Sequence, residues 1–208
     1  MAANAQEFDR IAKEIFAPIY PVIAEQILQR TGVTHGHALD IGCGSGYLGL
    51  ALAEQSGLEL TLFDQSEDML ALARKNIADR GLDDRVGTLR GDVAHIPLPE
   101  NSTNLAVSRG SVFFWEKPAL AFSEIHRVLA PGGRAVIGGG FGNAALKDEV
   151  SQKMEARETE PGQWRAWVKN NLSADTVRKF ETALHEAKIT RFDIDLNEET
   201  GFWITLDK

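Results

Sequence analysis

A chain of 208 residues with 43% hydrophobic and 25% charged residues is long enough for one domain with a substantial core. Its formal charge of −8 at pH 7 argues against a nucleic-acid backbone or an anionic membrane as the main partner. The one cysteine, Cys43, excludes an intramolecular disulfide and fits a reducing, cytoplasmic setting. Residues 1–10 are polar and lack the apolar centre of a signal peptide, and no run approaches the roughly 18 apolar residues of a membrane span.

Residues 7–30 read as helical, broken near Pro18 and Pro21, each of which removes a backbone donor. Ile11, Ile15, Ile19, Val22, Ile23, Ile27 and Leu28 give this segment an apolar face. Residues 32–36 form the turn into a first strand, 38–41, which runs into the glycine-rich stretch Gly42-Cys43-Gly44-Ser45-Gly46 and an apolar helix, 48–53. Gly57 ends that helix, and 59–63 is a second strand closed by Asp64. Ser66 caps a helix over 67–79, Gly81 stops it, and 85–90 is a third strand ending at Gly91-Asp92. Pro97 and Pro99 make 94–101 a loop, and 105–108 is a fourth strand. An amphipathic helix over 116–130 buries Leu120, Ile125, Val128 and Leu129; Pro131-Gly132-Gly133 turns the chain into a fifth strand, 134–138. Residues 140–172 are the least readable, with one polar helix near 144–157 and a segment carrying Trp164 and Trp167. Ser173 caps a last helix to about residue 187, and 189–196 and 201–206 are the sixth and seventh strands.

Five strands alternating with helices imply a parallel sheet covered on both faces. Only residues 197–200 join the last two strands, too few for a parallel crossover, so they pair antiparallel at one edge.

The glycine-rich stretch organises the chain. A strand, three glycines and a helix opening out of the turn allow close backbone approach by a ligand with polar groups at the helix start. Gly44-Ser45-Gly46-Tyr47-Leu48-Gly49 also satisfies the dinucleotide pattern G-x-G-x-x-G, but Asp40 stands where a pyrophosphate would meet repulsion. An acid there suits a cationic ammonium instead. In an open sheet of this kind ligands bind beyond the carboxyl ends of the strands, where Asp40, Asp64, Asp92 and Arg109 fall. Asp64 either caps the next helix or accepts both hydroxyls of a ribose. Asp92 is either a turn residue or a partner for an adenine amino group. Arg109 is either a structural ion-pair residue or lies beside a methionine moiety, meeting its carboxylate or positioning Asp40.

The series Leu39-Asp40-Ile41-Gly42-Cys43-Gly44-Ser45-Gly46, Phe63-Asp64, Gly91-Asp92 and Arg127-Val128-Leu129-Ala130-Pro131-Gly132-Gly133 resembles the class I S-adenosylmethionine-dependent methyltransferases. It is most similar to their small-molecule branch, the ubiquinone/menaquinone-type and related uncharacterised methyltransferases, over about residues 36–140. The resemblance implies an α/β, Rossmann-like seven-stranded sheet of order 3-2-1-4-5-7-6 with helices on both faces. It divides a single domain into a helical cap or lid over 1–35 and a core over 36–208. It implies S-adenosylmethionine as cofactor, with Gly42, Cys43, Gly44 and Gly46 around the methionine part, Asp64 on the ribose and Asp92 near adenine. Gln65, Met69, Gly91, Val93 and Gly110 complete that set beside Asp40, Arg109 and Tyr20, the last at the bend of the cap.

No Asn/Asp-Pro-Pro-aromatic motif follows the fourth strand, which with the acidic charge makes a nucleic-acid base an unsuitable acceptor. Ser111, Trp115, Phe141 and Trp164 are the candidate pocket for a small, partly apolar substrate, with Tyr20 as a further wall, whereas Phe113 and Phe114 are as readily packing residues. No catalytic base is assigned; His95 is the nearest candidate, and Cys43 reads as a loop residue rather than a nucleophile. Nothing has metal-ligand spacing. A non-catalytic protein that binds the same cofactor and acts through a partner fits these residues as well. The acceptor and the oligomeric state are not written in the sequence.

Overall fold

The computed structural model describes residues 5–197 and 199–208; residues 1–4 of the polar start and Glu198, within the connection expected between the last two strands, lie outside them. The cap comprises α1 (Ala5–Ile11), a π-helical turn (Ala12–Phe16) and α2 (Ile19–Thr31). The break falls at Ala17-Pro18, as the prolines suggest, but α2 runs through Pro21. Pro21 is the third residue of that helix, where an N–H has no intrahelical acceptor to lose. Gly32, in the left-handed region, closes α2 with its N–H on the carbonyl of Leu28 at 2.8 Å.

The core alternates strands and helices: β1 (His35–Ile41), α3 (Tyr47–Gln55), β2 (Gly57–Asp64), α4 (Glu67–Asp79), β3 (Val86–Arg90) and β4 (Thr103–Arg109). It continues through α5 (Pro118–Val128), β5 (Leu129–Gly140), α6 (Ala144–Glu155), α7 (Gln163–Asn171), α8 (Ala174–Glu186), β6 (Phe192–Asn197) and β7 (Gly201–Asp207). The sheet has the order β3-β2-β1-β4-β5-β7-β6. The first five strands pair in parallel, and β7 runs antiparallel to both β5 and β6.

Strand periodicity divides the core into two layers. Ala38, Leu60, Leu62, Leu105, Val107 and Val136 face the layer packed by α2, α3 and α4. Leu39, Phe63, Ala106, Ala135 and Ile137 face the layer packed by α5 and α8. Asp40 alternates with Leu39 and Ile41 and so falls on the α3 side, which decides its partner.

The structure departs from the sequence reading at several points. Gly57 opens β2 rather than ending α3, which stops at Gln55. In α5 the buried residues are Ala121, Phe122, Ile125 and Val128, and Leu120, one residue out of that helical phase, is 51% exposed. The chain enters β5 already at Leu129, which pairs with Thr103; the extra residues through Gly133 are absorbed as a register shift before Leu105 pairs with Arg134. The Trp164/Trp167 segment is helical, α7, and β6 starts at Phe192 instead of Ile189.

Candidate functional site

The ends of β1, β2, β3, β4 and β5 surround a cavity of about 1310 Å³ that the cap and α7 roof over. Its floor is the glycine-rich loop. Gly42 and Cys43 both donate to the carbonyl of Phe63, at 2.8 and 3.1 Å, and Gly46 donates to that of Cys43 at 2.9 Å. Asp64 ties this loop to the next helix: one carboxylate oxygen accepts from the N–H of Gly44 and the other from that of Ser66, each at 2.9 Å. Ser66 in turn caps α4 by accepting from Met69.

Asp40 acts on the loop from beneath. It is 2% exposed and accepts from the N–H of Gly49 at 2.8 Å. A Cβ at Gly49 would stand 3.0 Å from that carboxylate oxygen and 2.3 Å from Leu62, so only glycine lets strand and helix approach this closely. Burial pushes the carboxyl up to about 7; the Gly49 N–H opposes the rise, and the charge of Asp64 adds to it. Burial likewise holds the Cys43 thiol well above its ordinary value, so it is protonated and no nucleophile.

At the end of β4, Ser111 is a brace. Its hydroxyl donates to the carbonyl of Ile41 at 3.1 Å, lies 2.7 Å from the Ser108 hydroxyl and accepts from the indole N–H of Trp115 at 3.2 Å. Arg109 donates through Nε to the carbonyl of Gly140 at 3.2 Å. Its guanidinium lies 4.5 Å from the centre of the Phe16 ring and 5.9 Å from those of Tyr20 and Phe141. Burial pulls its pKa down, and the Tyr20 hydroxyl bonded to it opposes that. The Tyr20 ring stacks on Tyr47, the first residue of α3, at 5.5 Å and 19°. Burial and the Asp9 carboxylate push the Tyr47 hydroxyl up to about 12.

Aromatic side chains form the far wall. Trp164 packs against Phe16 and Phe141 at 6.1 and 6.2 Å and stacks on Trp167 at 5.2 Å. The Glu158 carboxylate accepts from the N–H groups of Gly162 and Trp164, which fixes the start of α7. An ion pair between Arg157 and Glu7 joins the end of α6 to α1 across the mouth.

Of the cofactor and substrate-pocket residues singled out in the sequence, all line this cavity except Asp40 and Gly46, which shape the loop without facing it. Asp40 takes its hydrogen bond from Gly49, and Arg109 gives its own to Gly140. Both readings of Asp64 share one geometry, since its helix-side contact leaves it on the cavity wall. Asp92 does make the turn contact, accepting from Ala94 at 2.8 Å, and also lines the cavity. His95 does not line it. Phe113 packs on Phe180 and Phe202 as well as lining it, whereas Phe114 stands 70% exposed at the rim. Phe8, Ile11, Ala12 and Phe16 were missed as cavity residues, although their spacing is a second apolar stripe on the cap. Nothing in the local sequence announces Arg157 or Glu158.

The cavity fits a cofactor together with an acceptor. It exceeds the roughly 300–1,000 Å³ of a single small-molecule pocket. At Gly44 and Gly110 a Cβ would meet no protein atom nearer than 4.0 Å, so the wall is open where a ligand needs the backbone. Among the described residues no three or more His, Cys, Asp or Glu gather as a metal site, and no helix is long and apolar enough to cross a membrane.

Residues 39–137 match the family model described as a methyltransferase domain. The crystal structure of a candidate S-adenosyl-L-methionine-dependent methyltransferase from Methanococcus maripaludis superposes with a TM-score of 0.94 at 44% identity, covering 100% of this chain and 97% of that one. A methyltransferase of Streptomyces halstedii, GfsG, is 31% identical over 134 residues, 64% of this chain and 48% of its own. The demethylmenaquinone methyltransferase of Lactiplantibacillus plantarum is 35% identical over 105 residues, 50% of this chain and 44% of its own. The matches thus span less than half the length of these two curated relatives.

Proposed function

Because this chain belongs to the S-adenosylmethionine-dependent methyltransferase family, we propose that it transfers a methyl group from S-adenosylmethionine to a small, partly apolar acceptor. One observation carries the reading. A single cavity has the glycine loop, Asp64 and Asp92 along one side and Phe16, Phe141, Trp164 and Trp167 along the other. The first side suits the nucleoside and amino-acid parts of the cofactor, the second an apolar ring. The name of the Lactiplantibacillus relative, which denotes a quinone-type acceptor, supports the same character.

When bound, S-adenosylmethionine supplies an activated methyl group on a sulfonium, so no covalent intermediate with the protein is required. The chain's part is to bind, orient and exclude water. In this reading Asp64, whose two oxygens each take one backbone N–H, uses its remaining lone pairs for the ribose hydroxyls. Gln65, Met69, Gly91, Asp92 and Val93 border the adenine, and Gly42, Cys43, Gly44 and Gly110 the methionine part. Asp40 and Gly46 hold the loop in shape. Ser111, Trp115, Phe141 and Trp164 border the acceptor, and Tyr20 closes the junction between the two. Holding donor and acceptor in line supplies roughly 7–11 kcal/mol of the barrier. Cap and α7 together keep water out. The single cysteine and the net charge of −8 support a cytoplasmic setting and a partner other than nucleic acid.

A thermal-shift titration tests the cofactor side. At about 100 times its dissociation constant a ligand stabilises by about 2.7 kcal/mol, roughly 5–11 °C for a chain of this length. S-adenosylhomocysteine is expected to give that shift and NAD none. The reverse ranking overturns the reading. Stabilisation without turnover of S-adenosylmethionine against a metabolite extract favours the non-catalytic alternative.

A further inference from the structure

Arg109 lies on the side of the cavity away from β2 and β3. It ends β4, and its Nε–H reaches across to Gly140 at the end of β5. Rings of Phe16, Tyr20 and Phe141 surround it, the first and last of which also pack against Trp164. Three other charged groups of the cavity are answered: Asp64 and Glu158 by two backbone N–H groups each, and Arg157 by Glu7. Among the described residues the charge of Arg109 is answered by the Tyr20 hydroxyl and by no carboxylate. The Gly140 carbonyl and Tyr20 take up two of the five N–H donors that a guanidinium offers. A cation held among aromatic rings, with donors to spare and no counter-ion, is poorly compensated until an anion reaches it.

We propose that Arg109 receives an acidic group of the acceptor, so that the molecule methylated is a planar, conjugated carboxylic acid. This rests on the methyl-transfer reading for the word acceptor. The guanidinium fork matches a carboxylate through two parallel, charge-assisted hydrogen bonds, and the ring of such an acid finds Phe141 and Trp164 beside it. The methionine carboxylate of the cofactor is the other source of the same chemistry. Arg109 donates to the carbonyl of Gly140 at the end of β5, on the side of the aromatic wall, and the test below separates the two sources.

Calorimetry with cinnamate and its neutral counterpart cinnamamide tests this. S-adenosylhomocysteine is titrated first into the wild-type chain; if it does not bind, the methyltransferase reading itself fails, independently of Arg109. On the saturated protein, cinnamate is expected to bind at least about tenfold more tightly than cinnamamide. Arg109→Met is expected to bring that ratio to about one while S-adenosylhomocysteine affinity stays within about threefold. Equal binding of the two compounds to the wild type, or binding of neither, overturns the proposal. So does an Arg109→Met chain that loses S-adenosylhomocysteine but keeps the preference for the acid, which assigns the arginine to the methionine carboxylate. Where Arg109→Met does not fold, Arg109→Gln takes its place; Lys117→Met, which removes another cation of the cavity wall, is expected to leave the preference for the acid intact, and its loss there overturns the proposal.

Discussion

Asp64→Ala removes two contacts at once. The carboxylate accepts from Gly44 on one oxygen and from Ser66 on the other, both at 2.9 Å, so the change frees the glycine loop and the start of α4 together. A hydrogen bond to a charged group contributes about 1.5–3 kcal/mol. Both donors sit at the cavity edge, where water can replace part of what is lost, so the lower figure applies to each and the pair comes to about 3 kcal/mol. At about 2–4 °C per kcal/mol for this chain length, the melting temperature should fall by roughly 6–12 °C. If Asp64 also holds the ribose, S-adenosylhomocysteine should bind roughly ten- to a hundredfold more weakly by calorimetry. Asp64→Asn keeps the shape and one acceptor oxygen and should lose about half of each effect. An unchanged melting temperature refutes the loop tie. Destabilisation with unchanged affinity removes Asp64 from the cofactor and leaves it a structural residue.

Three further outcomes follow from the same geometry. The Asp40 carboxyl, raised from 3.8 to about 7, binds a proton in the folded chain that the unfolded chain releases. Its contribution is therefore full below about pH 4 and is lost as pH rises through about 7, at most about 4 kcal/mol. Asp40→Asn, which cannot titrate, should gain stability relative to wild type across that window in urea unfolding; a constant difference contradicts the shift. Gly49→Ala puts a Cβ 2.3 Å from Leu62 and 3.0 Å from the Asp40 carboxylate, and overpacking of this kind costs about 1–3 kcal/mol, so an unaltered melting temperature speaks against the close approach. Hydrogen exchange over α1 and α2 should slow when S-adenosylhomocysteine binds, as expected of a cap that closes through Tyr20. Equal protection with and without it makes the cap a static roof.

What could be read ahead of the structure was what local chemistry controls. Three glycines after a short apolar strand, with Asp40 before them and Asp64 at the end of the next strand, specify a strand–loop–helix unit and its ligand side through spacing alone. The hairpin of β6 and β7 follows from a connection too short for anything else. Strand order is different: it depends on which crossovers pack on which face, and it was available only through resemblance to a family. Pro21 and Leu120 show the limits of residue-type rules, because a proline in a first turn breaks nothing and one residue of helical phase separates core from solvent. Arg109 shows a deeper limit. Its partners come from the cap (Phe16, Tyr20) and from the end of β5 (Gly140, Phe141), each more than thirty positions from it, and no window of sequence brings them together. The roof over the acceptor side is equally non-local, since Trp164 of α7 packs against Phe16 of the cap and Phe141 after β5.

The most direct test of methyl transfer follows the group itself. The chain is incubated with S-adenosylmethionine labelled in its methyl group and a deproteinised metabolite extract, and the products are resolved by mass spectrometry. Transfer predicts S-adenosylhomocysteine in step with one small molecule that has gained a labelled methyl group, and less of both with Asp64→Ala when S-adenosylmethionine is below saturation. Labelled S-adenosylmethionine left intact beside a chain that demonstrably binds it contradicts transfer to any acceptor in that extract.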